Sequence, residues 1–299
     1  MGSPEFAVPS LNAIHNSTHQ VQAVVSNPDK RRGRRGKPEP TDVKRRAIEL
    51  GYPTIDVDDI KSDNFEKQLV DLKPDLFVVV AFRILPMSIL KIPNIGSINL
   101  HASLLPKYRG AAPIHWAVIN GEKETGCTVF FLDEKVDTGK IVAQNRINIG
   151  ENDTTGDIYN QLKEIGAELL IKTIDDIAAG KQSATPQNDE EATPAPKLFA
   201  ENTKLDFDQP AETVHNMVRG LNPFPIAWCK YDGQKMNVYS SAKSDEPSKK
   251  PGLVFQKDGK LLVGCNPGTL ELKGVQLPGT KVLNGSEFIN GYKLPAQLN

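Results

Sequence analysis

The chain has 299 residues, 38% hydrophobic and 24% charged, with a net charge of −1, which fits a soluble globular protein large enough for two domains. No apolar run nears the ~18 residues of a membrane-crossing helix, and Met1-Gly2-Ser3-Pro4-Glu5-Phe6 has neither the basic start nor the apolar core of a secretory signal. Cys127, Cys229 and Cys265 are scattered, so a metal site and a disulfide framework are not expected, and the chain reads as a cytoplasmic monomer.

Val21–Ser26 is valine-rich and closes on Asn27-Pro28-Asp29, a strand followed by a turn. From Lys30 to Arg46 run nine basic residues opposed only by Glu39 and Asp42, a local anion-seeking segment in a nearly neutral chain. Asp42 can cap a helix that runs towards Gly51. Thr54–Val57 reads as a strand, and Asp63–Lys73 as a helix with Phe65, Leu69 and Leu72 on one face. The unbroken apolar run Leu76–Ala81 fits a parallel strand covered on both sides. Ile98–Leu100 and Cys127–Leu132 suggest two more strands, with helix from Pro113 to Asn120 between them. This alternation predicts an open, mostly parallel α/β sheet of Rossmann type, closed by a long helix over Asp157–Ala179. Residues 181–203 are polar and bear prolines, a linker. Beyond it, a short helix at Thr213–Arg219 and apolar runs at Ala227–Tyr231, Met236–Tyr239, Lys260–Cys265 and Thr269–Leu272 predict a small β-barrel. The expected division is therefore 1–180, a linker at 181–203, and a second domain at 204–299.

In open α/β sheets the chemistry sits beyond the carboxyl ends of the strands. Asn99 and His101 leave one such strand with a single residue between them, so their side chains share a face. An amide and an imidazole side by side offer a donor for a developing oxyanion and a group able to move a proton near neutrality. Asp137-Thr138-Gly139 puts a carboxylate on the turn after the next strand. Each piece alone has an ordinary structural explanation: a satisfied histidine, a common turn, core leucines in Leu104-Leu105. Their shared position at the strand ends favours a site.

The motifs go further. Asn99-Leu100-His101-Ala102-Ser103-Leu104-Leu105-Pro106 resembles the N-x-H-x-S-L-L-P signature of the folate-dependent formyltransferase family. Lys107–Ile114, Gly2–Pro9, Val79–Pro86 and Leu221–Trp228 resemble the branch of that family whose acceptor is methionine carried on initiator tRNA. The resemblance implies 10-formyltetrahydrofolate as donor, held near Val80, Phe82, Leu85, Ser103, Leu104, Leu105 and Pro106, with no metal. It also implies that Asn99 and protonated His101 stabilise a tetrahedral oxyanion while Asp137 supports the imidazole and accepts the proton of the attacking amine. In that branch a basic loop reaches the acceptor stem, which would make Lys30, Arg31, Arg32, Arg34, Arg35 and Lys37 phosphate contacts, joined by Lys197, Lys204 and Lys230 of the second domain. One departure stands out: members carry a short apolar strand before the Gly2–Pro9 motif, so the sheet is expected to lack its first, N-terminal strand. The alternatives are an amino-sugar nucleotide formyltransferase and a non-catalytic tRNA-binding module. A dehydrogenase is disfavoured because no G-x-G-x-x-G follows an early strand.

Overall fold

A computed structural model describes residues 1–31 and 36–299. The chain divides into two compact units. The first comprises Met1–Gly110, Thr125–Ile147 and Tyr159–Pro194, and the second Ala111–Glu124, Asn148–Ile158 and Ala195–Asn299.

In the first unit, α1 (Val8–His15) leads to β1 (Val24–Ser26), whose three residues are all buried. α2 (Asp42–Glu49) is capped by Thr41, not by Asp42: the Thr41 hydroxyl accepts from Lys44 N at 3.2 Å, and Asp42 is the first helical residue. β2 (Thr54–Asp56) pairs with β1 in parallel. α3 (Asp63–Asp71) buries Phe65 and Leu69, and the Ser62 hydroxyl caps it. β3 (Leu76–Val80) pairs in parallel with β4 (Gly96–His101), with Val79 opposite Asn99 and Val80 opposite Leu100. Met1 and Gly2 lie between β1 and β3. Gly2 N donates to Val25 O at 3.0 Å, Val80 N to Met1 O at 2.9 Å, and the Met1 amine to Val78 O at 2.7 Å. A cavity of about 290 Å³ opens beside these two residues, lined by Val24, Phe77 and Val78 among others.

After α4 (Pro113–Ile119), which belongs to the second unit, β5 (Glu124–Phe131) returns antiparallel to β4, and β6 (Ile141–Asn148) follows at its other side. The parallel α/β sheet thus continues into an antiparallel half. A buried apolar run such as that of β5 reads the same in either direction. α5 (Thr155–Ala178) packs closely where it has no side chain: a Cβ on Gly166 would touch Cys127 Sγ and Leu100 Cδ2 at 3.1 Å each. This close approach sets the helix against β4, which carries Asn99 and His101, and β5, which leads to the Asp137 turn.

In the second unit, α6 (Ala211–Gly220) precedes an antiparallel sheet. Its strands are β7 (Ala227–Tyr231), β8 (Gln234–Ser244), β9 (Val254–Lys257), β10 (Lys260–Gly264) and β11 (Thr269–Gln276). They run in the order β7-β8-β11-β10-β9, and β12 (Leu283–Asn284) adds to β11 ahead of α7 (Gly285–Gly291). The core beneath the sheet holds Leu221, Met236, Leu261, Leu272 and Phe288, all at 1% exposure or less. Burying such side chains contributes about 1.5–3 kcal/mol each.

Candidate active site

β4 ends in a polar pair because strand alternation and strand termination coincide there. Asn99 is half-buried, and no hydrogen bond holds its side chain among the described residues. His101, 7% exposed, is fixed on two sides. Its Nε2 lies 2.8 Å from the Tyr108 carbonyl oxygen, which can only accept, so Nε2 carries a proton. Nδ1 faces Asp137 Oδ2 at 3.8 Å, a charge contact longer than a hydrogen bond. With Nε2 committed to that carbonyl, Nδ1, the side facing the carboxylate, is the ring position left for proton exchange. The Phe130 ring stands edge-on to the imidazole, with centroids 6.5 Å apart.

Asp137 is 9% exposed and sits at φ 58°, a left-handed conformation uncommon for a residue with a Cβ. Its Oδ2 accepts from Gly110 N at 2.9 Å. Thr138 braces the turn by donating to Asp133 Oδ1 at 2.7 Å. Glycine is required two residues on, where a Cβ on Gly139 would overlap the Phe131 carbonyl oxygen.

The loop after His101 is closed by its own side chains. Ser103 Oγ donates to Lys107 O at 2.7 Å, and Thr128 Oγ1 donates to Ser103 O and accepts from Leu105 N. Gln144 adds bonds to Leu105 O and Thr128 Oγ1. Of the expected folate contacts, Ser103, Leu105, Val80 and Leu85 are buried. Leu104 is half-buried and lies against Gly126. Phe82 and Pro106 are half-buried, and Ile84 next to Phe82 is 74% exposed.

Lys30 and Arg31 form a two-residue exposed strand against Pro38–Glu39, and Lys37 is exposed beside them. The expected contacts Arg32, Arg34 and Arg35 lie outside the described residues. The three helical cations are engaged within the chain. Lys44 bonds Asp29 and Asp56 at 2.6 and 2.8 Å, which raises its pKa, while Arg45 pairs with Asp42 and Arg46 with Asn12 and Glu49. In the second unit, Lys197 lies over the Phe199 ring at 5.7 Å.

Motif reading missed one group. Within the segment expected to be a plain linker, Gln187 bonds the backbone of the Asp137 turn and the side chain of Arg109, and Thr193 bonds the backbone of Tyr108 and Arg109. No periodicity marks these residues, because their partners are far away in sequence.

Comparison with known proteins gives this geometry a family context. The formyl transferase model matches residues 1–174, and the formyl transferase C-terminal domain model matches residues 197–293. The chain is 42% identical to the methionyl-tRNA formyltransferase of Chlorobium limicola over 98% of its own length and 95% of that protein. It is also 42% identical to the methionyl-tRNA formyltransferase of Moorella thermoacetica, over 98% and 96%. Among solved structures, the Helicobacter canadensis N-formyltransferase bound to folinic acid and dTDP-3-aminofucose superposes with a TM-score of 0.70. That match has 22% identity and covers 91% of this chain and 96% of the other. HypX from Aquifex aeolicus, bound to tetrahydrofolic acid, gives 0.60 at 22% identity over 83% of this chain and 45% of its own.

Proposed function

The chain belongs to the formyl transferase family, whose N- and C-terminal models it matches in order, and on that premise we propose that it formylates the α-amino group of methionyl initiator tRNA from 10-formyltetrahydrofolate. The observation that carries the choice of acceptor is the 42% identity to methionyl-tRNA formyltransferases across nearly the whole of both chains. The sugar-modifying structural neighbour stands at 22% and speaks to the fold alone.

In this reading the amine nitrogen attacks the formyl carbon, a C–N bond forms, and the carbonyl oxygen takes up negative charge. Asn99, whose side-chain amide makes no hydrogen bond among the described residues, and protonated His101 stabilise that oxyanion. Loss of one such donor typically raises a barrier by ~2.7–4 kcal/mol. Asp137, 3.8 Å from Nδ1, supports the imidazolium and takes the proton that the amine sheds. The bond from the formyl carbon to the folate nitrogen then breaks, and the proton ends on that nitrogen. Burial of His101 and Asp137 strengthens these charge interactions relative to water. The half-buried Phe82 and Pro106 offer apolar surface for a flat ring, and Lys30, Arg31, Arg32, Arg34, Arg35 and Lys37 offer cations for tRNA phosphates. Lys197, Lys204 and Lys230 of the C-terminal domain do the same.

The test is incubation with 10-formyltetrahydrofolate and either methionyl initiator tRNA or a dTDP-amino sugar. Formyl-methionine on the tRNA is the expected product. Formylation of the sugar alone would reassign the acceptor.

A further inference from the structure

Residues 185–193 form a strap laid along the loops that carry His101 and Asp137. Thr185 exchanges two backbone bonds with Ile141, at 2.9 and 2.8 Å. Thr193 accepts from Arg109 N through its carbonyl at 2.9 Å and from Tyr108 N through its hydroxyl, also at 2.9 Å. Between them, Gln187 spends its whole side-chain amide. Nε2 donates to Asp137 O at 2.9 Å and to Gly139 O at 2.8 Å, and Oε1 accepts from Arg109 Nε at 3.1 Å and Nη2 at 2.8 Å.

These bonds close a ring. Gln187 holds the Asp137 carbonyl, the Asp137 carboxylate holds Gly110 N, and Arg109, one residue before Gly110, returns to Gln187. The ring encloses Asp137, whose backbone is left-handed at φ 58°. A conformation of that kind persists only where its surroundings over-determine it. The orientation of the carboxylate towards His101 Nδ1 depends on that turn.

We propose that Gln187 is a positioning residue for formyl transfer, holding the Asp137 turn so that the carboxylate stays opposed to His101. This inference rests on the role given to Asp137 above. Among the described residues, Gln187 itself makes no hydrogen bond to the imidazole or to the carboxylate group.

Gln187→Met keeps the length of the side chain and removes all four bonds. Gln187→Glu keeps an acceptor for Arg109 and removes both donors to the turn. Each is expected to lower kcat for methionyl-tRNA formylation by about tenfold or more, since misplacement of a catalytic group by ~1 Å can cost a hundredfold. KM for both substrates should stay within about twofold, because the acceptor and folate contacts lie elsewhere. An activity-independent measurement accompanies these: the ¹⁵N resonance of His101 Nδ1 should move in both variants, while the ring signals of His215 stay in place. Unchanged kcat, a loss carried by KM, or an unmoved Nδ1 signal would each overturn the inference. Should the wild-type chain fail to formylate methionyl-tRNA, the acceptor assignment falls, and the Nδ1 signal still decides the role of Gln187.

Discussion

His101 is held by a carbonyl on one nitrogen and confronted by a carboxylate on the other, so its chemistry is confined to one edge of the ring. His101→Ala should reduce turnover about a hundredfold while leaving the unfolding midpoint within a few degrees, as removal of a group acting in the transition state does. Near-normal turnover would take the imidazole out of the reaction. Asp137→Asn should keep the bond from Gly110 N, because the amide oxygen can still accept it, yet lose the charge that faces Nδ1. A fall in kcat with little change in folding is the expected result, measured side by side with His101→Ala. These residues were legible because strand alternation and the N-x-H motif put two of them on one face, and the next strand end supplied the third. Gln187 was not, since it stands among polar residues with no periodic pattern and finds its partners Asp137 and Arg109 through tertiary contact.

Among the elements, β5 and its neighbour β6 approach so closely at Gly126 that a Cβ there would overlap the Asn145 carbonyl and come within 2.6 Å of Leu104 Cδ2. Gly126→Ala should therefore destabilise the protein by about 1–3 kcal/mol, the usual result of overpacking, which calorimetry would register as a lower Tm. In the second unit, a buried imidazole and a half-buried one tie the helices to their surroundings. His215 on α6 contacts Ser241 Oγ and the Glu151 carbonyl, and His115 on α4 contacts the Phe224 carbonyl. Burial lowers the pKa of both, more than these carbonyl bonds raise it. Each folded-state pKa thus lies below the unfolded value near 6.5, so unfolding takes up protons as the pH falls. The stability they contribute is complete above about pH 6.5 and lost as the pH falls through the folded values. Thermal melts at about pH 7.5 and about pH 5 should show this drop, and His215→Gln should shrink it. Helices and apolar strands were readable from periodicity, whereas β6 was not, since its sequence IVAQNRIN mixes apolar and polar residues along a partly exposed edge.

For the molecule as a whole, a net charge of −1 means that attraction to a polyanion must come from where the cations gather. Replacing Arg31, Arg32, Arg34 and Arg35 together with serine should weaken tRNA binding and flatten its dependence on salt, by about 0.9 in the log–log slope for each duplex phosphate no longer neutralised. An unchanged slope would leave that segment as ordinary solvated surface. The order of two family modules was legible across the entire sequence, because motifs recur from Gly2 to Trp228 and the polar stretch between the modules is easily seen. What that stretch does was not. Neither family model extends over residues 175–196, yet Gln187 and Thr193 in that interval bond the loops of His101 and Asp137. A hybrid enzyme joined just after residue 174 would therefore inherit its strap from the C-terminal donor, and with it another protein's fit to this reaction centre. Exchange of the C-terminal half alone belongs after Ala195, so that the stretch resembling a spacer travels with the half it serves.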